Sequence, residues 1–210
     1  MELSPKIVIL DYKSGNIMSV KNAFKKLGFE TNISKNELDL QEATHIVLVG
    51  VGSYDNCMQN LKENFSLTNL KRIILDKNKP FLGICVGMQI MSEVGYENKE
   101  YKGLGYLKGK VKKLQVQKKF RLPHVGWNNL TNIKNDPILQ NIDEEDNFYF
   151  VHSYVYDTSN SDMINQVVAY SNYGALFPSV VRKNNIVGVQ FHPEKSQRSG
   201  LQILKNFINN

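Results

Sequence analysis

Cysteine is scarce in this chain of 210 residues, which carries two, Cys57 and Cys85. Such a pair does not make a disulfide framework, and a reducing cytoplasm is its natural setting. Long apolar runs are absent. The longest are strand-sized, such as Ile46 to Val51, and fall short of a membrane-spanning helix. The opening stretch Met1-Glu2-Leu3-Ser4-Pro5-Lys6 lacks a basic region followed by an apolar one, so it does not read as a secretory signal. His45, His124, His152 and His192 show no paired ligand spacing, and the two cysteines stand apart, so no metal is expected. No P-loop and no dinucleotide fingerprint occurs, so no cofactor is expected either. Tryptophan occurs once, at Trp127. Internal repeats, linkers and low-complexity segments are missing as well.

What is present is ordinary in bulk. Hydrophobic content of 41% and charged content of 22% suit a soluble globular chain, and the length suits one domain spanning 1–210 with a sizeable core. The net charge is +6. Its lysines are scattered, densest between Lys108 and Arg121, and are not interleaved with aromatics as in single-strand binders. A solvated basic face, or one that meets an acidic protein partner, is expected rather than a nucleic-acid site.

Strand and helix patterns alternate through the first half. Lys6 to Leu10, Phe29 to Ile33, His45 to Val49 and Pro80 to Ile84 read as short strands buried on both faces. Ile17, Val20, Phe24 and Leu27 recur at helical spacing before Gly28, and Leu61 to Asp76 carries a second helical pattern. After Gly103 the texture turns to short β-like pieces at Lys110 to Val116, Phe148 to Tyr156, Gln166 to Tyr170, Ser179 to Lys183 and Ile186 to Gln190. An amphipathic helix over Gly200 to Ile208 closes the chain. The expected fold is α/β: a mostly parallel central sheet with helices on both faces and a smaller antiparallel β addition in the C-terminal half.

The most informative segment is Pro80-Phe81-Leu82-Gly83-Ile84-Cys85-Val86-Gly87-Met88-Gln89. It sets a cysteine between two glycines, after an apolar strand and before a helical pattern, in the form of a nucleophile elbow. Glycines there leave room for a sharp turn, and a helix start would favour thiolate over thiol. A second segment, Gly188-Val189-Gln190-Phe191-His192-Pro193-Glu194-Lys195-Ser196, ends a strand pattern. Positions two apart in an extended chain share a side, so His192 and Glu194 are expected at one site. Cys85 as nucleophile, His192 as base and acid, and Glu194 as its orienter complete a triad. Acyl chemistry also needs oxyanion donors. Val86 would supply one, and Val51 or Gly52 of the turn Gly50-Val51-Gly52 a second.

These three segments resemble class I, triad-type glutamine amidotransferases. Further segments narrow the resemblance: Asp11-Tyr12 with Gly15-Asn16, Gly103-Leu104-Gly105, Pro123-His124-Val125-Gly126-Trp127-Asn128, Tyr149 through Tyr154, and Gln190 through Gln197. Together they are similar to the glutaminase subunits of imidazole glycerol phosphate synthase, over about residues 7 to 208. The resemblance implies a three-layer, flavodoxin-like fold and hydrolysis of glutamine to glutamate and ammonia. It also implies a heterodimer, in which the ammonia passes to a (β/α)8 synthase subunit that forms imidazole glycerol phosphate. By the same resemblance Gly50, Gln89, Glu97, Ser153 and Tyr154 hold the substrate glutamine, and Tyr149, Lys195 and Trp127 meet the partner. The Val51 peptide is expected to reorient when the partner is occupied. His124 and His152 read as structural, His45 as incidental and Cys57 as a buried thiol.

Four positions depart from the family pattern. Val49 stands for Pro before the glycine turn, Lys13 for Gly, Lys108 for Pro and Val86 for Leu. Val49 matters most, because Pro would restrict φ and remove an amide just before the expected oxyanion turn. The departures keep a second acceptor open: a nucleotide sugar, aminated by a paralogous pair in surface-glycan synthesis.

Overall fold

The computed structural model describes residues 4–13, 15–159 and 161–209. Met1 to Leu3 of the opening stretch and Ser14 of the turn after the first strand lie outside them.

The first half builds the parallel sheet. Strand β1 (Ile7–Leu10) leads to helix α1 (Ile17–Lys26), then β2 (Thr31–Ser34), α2 (Glu37–Glu42), β3 (His45–Gly50), α3 (Tyr54–Asn64), α4 (Leu67–Lys71), β4 (Phe81–Cys85) and the single turn α5 (Val86–Gln89). Every residue of β1, β3 and β4 is buried, so alternate side chains are covered on both faces. Apolar runs without alternation are the sequence form of that burial.

Short β elements follow: β5 (Val94–Tyr96), β6 (Glu100–Lys102), β7 (Lys110–Lys113), β8 (His124–Asn129), β9 (Asn147–His152) and β10 (Tyr154–Tyr156). After α6 (Ser161–Ile164), the chain returns to the main sheet through β11 (Val167–Asn172), β12 (Leu176–Lys183) and β13 (Ile186–Val189), and ends in α7 (Gln197–Ile208).

The main sheet runs β11-β12-β13-β4-β3-β1-β2. Its five neighbours β2, β1, β3, β4 and β13 are parallel, with β12 and β11 added antiparallel at one edge. Read in chain order, the parallel part is 2-1-3-4-5, the flavodoxin-like winding, which gathers ligand sites at the carboxyl ends of its strands. A second sheet runs β10-β7-β5-β6, and β8 with β9 forms a separate antiparallel ribbon. The β addition expected in the C-terminal half therefore occurs as strands added to the main sheet and as small sheets beside it.

Local differences from the sequence reading have local causes. The second strand begins at Thr31, because Gly28 at φ 85 and Phe29, whose N–H bonds the Phe24 carbonyl, still belong to the end of α1. The helical pattern at Leu61 to Asp76 is the end of α3, which begins at Tyr54, then α4, which continues as a wider π-helical turn over Arg72–Asp76. Phe65 is extended, and the Ser66 side chain caps a new start by accepting from Asn69 N–H. α2 escapes periodicity reading, since six residues with one buried apolar side chain, Leu40, show no repeat. The piece Phe148 to Tyr156 is split at Ser153 between two sheets, β9 pairing with β8 and β10 with β7.

Candidate active site

β3 and β4 lie side by side in parallel, with Gly50 opposite Cys85. That register brings the Gly50-Val51-Gly52 turn to the cysteine. The contact is backbone on backbone. A Cβ on Gly50 would fall 2.3 Å from the Gly87 nitrogen, and one on Gly87 would fall 2.1 Å from the Leu48 carbonyl oxygen. Glycine is required at both places by close approach. Cys85 itself takes φ 56 and ψ −115, a left-side conformation costly for a residue with a Cβ and typical of functional turns. The helix that follows is one turn only, so its charge effect on the thiol is smaller than a full helix would give.

β13 flanks β4 on the other side, with Val189 opposite Ile84, and carries the chain on to Gln190, Phe191 and His192. Pro193–Lys195 then forms a 3₁₀ turn. Glu194 thus reaches His192 by turning back on it rather than by strand alternation. The His192 Nδ1 to Glu194 Oε1 distance is 2.8 Å, and the two side chains are 2% and 0% exposed. With the carboxylate as acceptor, Nδ1 carries a proton, and among the described residues Nε2 has no hydrogen bond. Burial by itself would disfavour charge on His192. The Cys85 sulfur and the Glu194 carboxylate outweigh it, and the imidazole is pushed up to about 10. The backbone of His192 is anchored too: its N–H bonds the Tyr149 carbonyl at 2.9 Å, and its carbonyl accepts from Ser196 Oγ at 2.6 Å.

A cleft of about 330 Å³ opens over Cys85 and His192. Of the residues expected to act here, Val51, Gly52, Val86, Gln89, Glu97, Ser153, Tyr154 and Lys195 also line it. Gly50 does not; it is buried behind the elbow, where it lets the turn approach. Glu194 lies behind His192. Gln89 is buried and donates to the Tyr154 carbonyl at 2.8 Å and to Gln190 Oε1 at 3.0 Å, while Gln190 Nε2 sits 3.9 Å from Cys85 Sγ. The Cys85 thiol points at the Val151 carbonyl, also at 3.9 Å. Glu97 accepts from the Tyr54 N–H at 2.7 Å, which ties it to the first turn of α3, and burial shifts its carboxyl upward. Cys57, on α3, is buried and directs its thiol to the Val51 carbonyl at 3.3 Å.

Tyr149 and Trp127 stand outside the cleft. They are paired across β8 and β9 with ring centroids 5.8 Å apart, and Lys195 Nζ lies 5.6 Å from the Tyr149 ring centre. Trp127 is 49% exposed and Val125 55% exposed, so Trp127 is not a core residue.

Three residues that line the cleft were given no part in the chemistry by the sequence: Asn16, Val151 and His152, the last read as structural. Asn16 Nδ2 donates to Glu194 Oε1 at 2.7 Å across 178 residues of sequence. Its signal was its place, just after a buried parallel strand in a glycine-containing turn. His152 pairs with His124, Nδ1 of His124 to Nε2 of His152 at 3.1 Å, and turns its own Nδ1 to the Tyr154 carbonyl. Burial pushes His124 down to about 4. Burial first, and then the neighbouring His124, push His152 down to about 3, so both rings are neutral. Among the described residues, no three His, Cys, Asp or Glu side chains cluster as a metal site, and no helix is long and apolar enough to cross a membrane.

Comparison with known proteins gives the family and the fold. The family model "Glutamine amidotransferase class-I" matches residues 8–210. The "Imidazole glycerol phosphate synthase subunit HisH 1" of Campylobacter jejuni strain RM1221 is 44% identical over 202 residues, 96% of this chain and 98% of that protein. The HisH subunit of Lactococcus lactis is 43% identical over 204 residues, covering 97% and 98%. That of Aquifex aeolicus is 41% identical over 203, covering 96% and 95%. Among solved structures, PurLQS from Thermotoga maritima superposes with a TM-score of 0.72 at 17% identity, covering 99% of each chain. A glutamine amidotransferase from the same organism does so at 0.65 and 18%, covering 99% of this chain and 82% of that one. These two structures bear on the fold alone. On the matched span and on the identities to the HisH subunits, the chain belongs to the class-I glutamine amidotransferases.

Proposed function

We propose that the chain, read as one amidotransferase domain, is the glutaminase subunit of an imidazole glycerol phosphate synthase. It hydrolyses glutamine and hands the ammonia to a (β/α)8 synthase subunit in histidine biosynthesis. The observation that carries the chemistry is the buried relay Cys85, His192 and Glu194, with His192 Nδ1 2.8 Å from the carboxylate and the imidazole beside a strained cysteine. In this reading the Cys85 thiolate attacks the side-chain amide carbon of glutamine. Negative charge moves to the carbonyl oxygen, toward the amides of Val86 and of the Val51–Gly52 turn. The His192 imidazolium gives its proton to the departing nitrogen, ammonia leaves, and a γ-glutamyl thioester remains. Neutral His192 then takes a proton from water, whose oxygen attacks the thioester and releases glutamate and Cys85. Glu194 fixes the tautomer throughout. Gln89, Glu97, Ser153 and Tyr154 orient the substrate, Glu97 offering its carboxylate to the substrate ammonium.

Trp127, Tyr149 and Lys195 are read as the partner face. Half-exposed apolar side chains at Val125, Trp127 and Val151 beside the cleft support this, since such a patch is otherwise costly to leave in water. The relatives' names favour imidazole glycerol phosphate over a nucleotide sugar as the end use of the ammonia. We place the chain in the cytoplasm, where its two free thiols would stay reduced. The test is glutamine hydrolysis with and without a (β/α)8 partner, for the natural chain and Cys85→Ala, together with complementation of a histidine auxotroph. Retained activity in Cys85→Ala refutes the nucleophile. Failure to complement, with hydrolysis intact, refutes the pathway.

A further inference from the structure

The turn Gly15-Asn16 belongs to the family pattern, yet the mechanism above gives it no task. Its side chain touches the relay. Asn16 Nδ2 donates to Glu194 Oε1 at 2.7 Å, and the same oxygen accepts from His192 Nδ1 at 2.8 Å. The other oxygen, Oε2, is buried and makes no hydrogen bond among the described residues. A carboxylate removed from water depends on the few donors it touches, and charge-assisted donors are the strong ones. Here both converge on one oxygen, so a rotation of the carboxylate that frees His192 also breaks the Asn16 bond. The amide comes from across the sheet: Asn16 follows β1, Glu194 follows β13, and β3 and β4 lie between these strands. Asn16 holds φ 54 and ψ 13 at the start of α1, a left-handed conformation that asparagine tolerates better than most residues.

We infer that Asn16 is a positioning residue for glutamine hydrolysis: its amide holds the Glu194 carboxylate in the orientation that aims His192 at Cys85. This rests on the glutaminase reading above. The titratable groups lining the cleft are Cys85, Glu97, His152, Tyr154, His192 and Lys195, and of these His192 alone bonds Glu194.

Three variants separate the amide from the backbone. Asn16→Gly keeps the left-handed conformation without strain and removes the amide, Asn16→Ala removes both, and Asn16→Asp replaces the donor with an acid. In the assembled complex, kcat is expected to fall about tenfold in both Asn16→Gly and Asn16→Ala, with KM within about twofold. Asn16→Asp is expected to add an ionisation to the pH–rate profile that the natural chain lacks. Two adjacent carboxyls share a proton at low pH and repel when both ionise, so its activity falls as pH rises. A merely structural asparagine would add none. Asn16→Gly with natural kcat and an unchanged profile overturns the proposal. The rate of Cys85 alkylation by iodoacetamide against pH, located by peptide mapping, is read in parallel. If the natural chain hydrolyses no glutamine, the glutaminase reading fails, and the alkylation profiles decide this one. A profile displaced in Asn16→Gly upholds the link to the relay, and superimposed profiles overturn it.

Discussion

The parallel core and the ribbon beside it handle their surfaces in opposite ways. Around β3 and β4 every residue is buried, and three glycines let backbone touch backbone at the elbow. In the β8–β9 ribbon the pattern alternates, and the exposed face carries Val125, Trp127 and Val151. The first region has no slack and can hold a reactive cysteine at a strained φ. The second leaves apolar area in water that a partner could cover. Chemistry sits where packing admits no alternative, and recognition sits where packing is unfinished. The cleft lies on their border: Cys85 comes from the core, and Val151, His152 and Ser153 from the ribbon's end.

The largest test removes the chemistry and spares the fold. Cys85→Ala, or Glu194→Gln, is expected to lower kcat for glutamine hydrolysis by about 10⁴-fold, as loss of a triad member does elsewhere. Thermal unfolding of each variant checks that the core survives. Next comes the packing contrast. Gly87→Ala drives a methyl onto the Leu48 carbonyl and is expected to cost about 3 kcal/mol in denaturant unfolding, with loss of activity. Gly105→Ala, where φ is 67 but nothing lies within 4 Å of the added carbon, is expected to cost about 1 kcal/mol. Equal costs would erase the distinction between core and periphery.

A third test falls on the ribbon. Trp127→Ala is expected to weaken partner binding by about 2 kcal/mol, roughly thirtyfold in Kd by calorimetry, while the stability of the lone chain changes by less than about 1 kcal/mol. A large stability loss instead would make Trp127 a structural residue. The last test is in pH. His124 and His152 are held at about 4 and about 3, below the ordinary 6.5, because burial favours their neutral rings. The fold therefore has their full contribution above pH 6.5 and loses it as pH falls through that window toward 4 and 3. The His192 shift runs the other way: its share is full below 6.5 and drains as pH rises toward about 10. Melting temperature against pH should droop on both sides, and His192→Gln should flatten the alkaline side.

Much of this was legible in the chain. Apolar runs ending in Cys85 and near His192 marked the parallel strands, because strands buried on both faces cannot alternate. Cys85 between glycines and the pair His192 and Glu194 were readable because their relations span a few residues. Less legible were the six-residue α2, the break at Phe65, and the division of Phe148 to Tyr156 between two sheets, since none of them leaves a repeat in the sequence. Gly50 was read as holding substrate; it does not line the cleft, and a Cβ added there would meet Val86 and Gly87. A glycine states that space is needed and not what needs it.

By itself the sequence determined the strand and helix alternation, the residue types of the relay and the family they belong to, because local spacing and side-chain chemistry carry those. Tertiary structure decided that the Gly50 turn lies against the elbow, that Trp127 is on the surface, and that Asn16 meets Glu194. Those contacts follow from the order 2-1-3-4-5, which brings the carboxyl ends of strands far apart in the chain to one edge. Winding order is a property of the whole chain's burial, and no short stretch of residues encodes it.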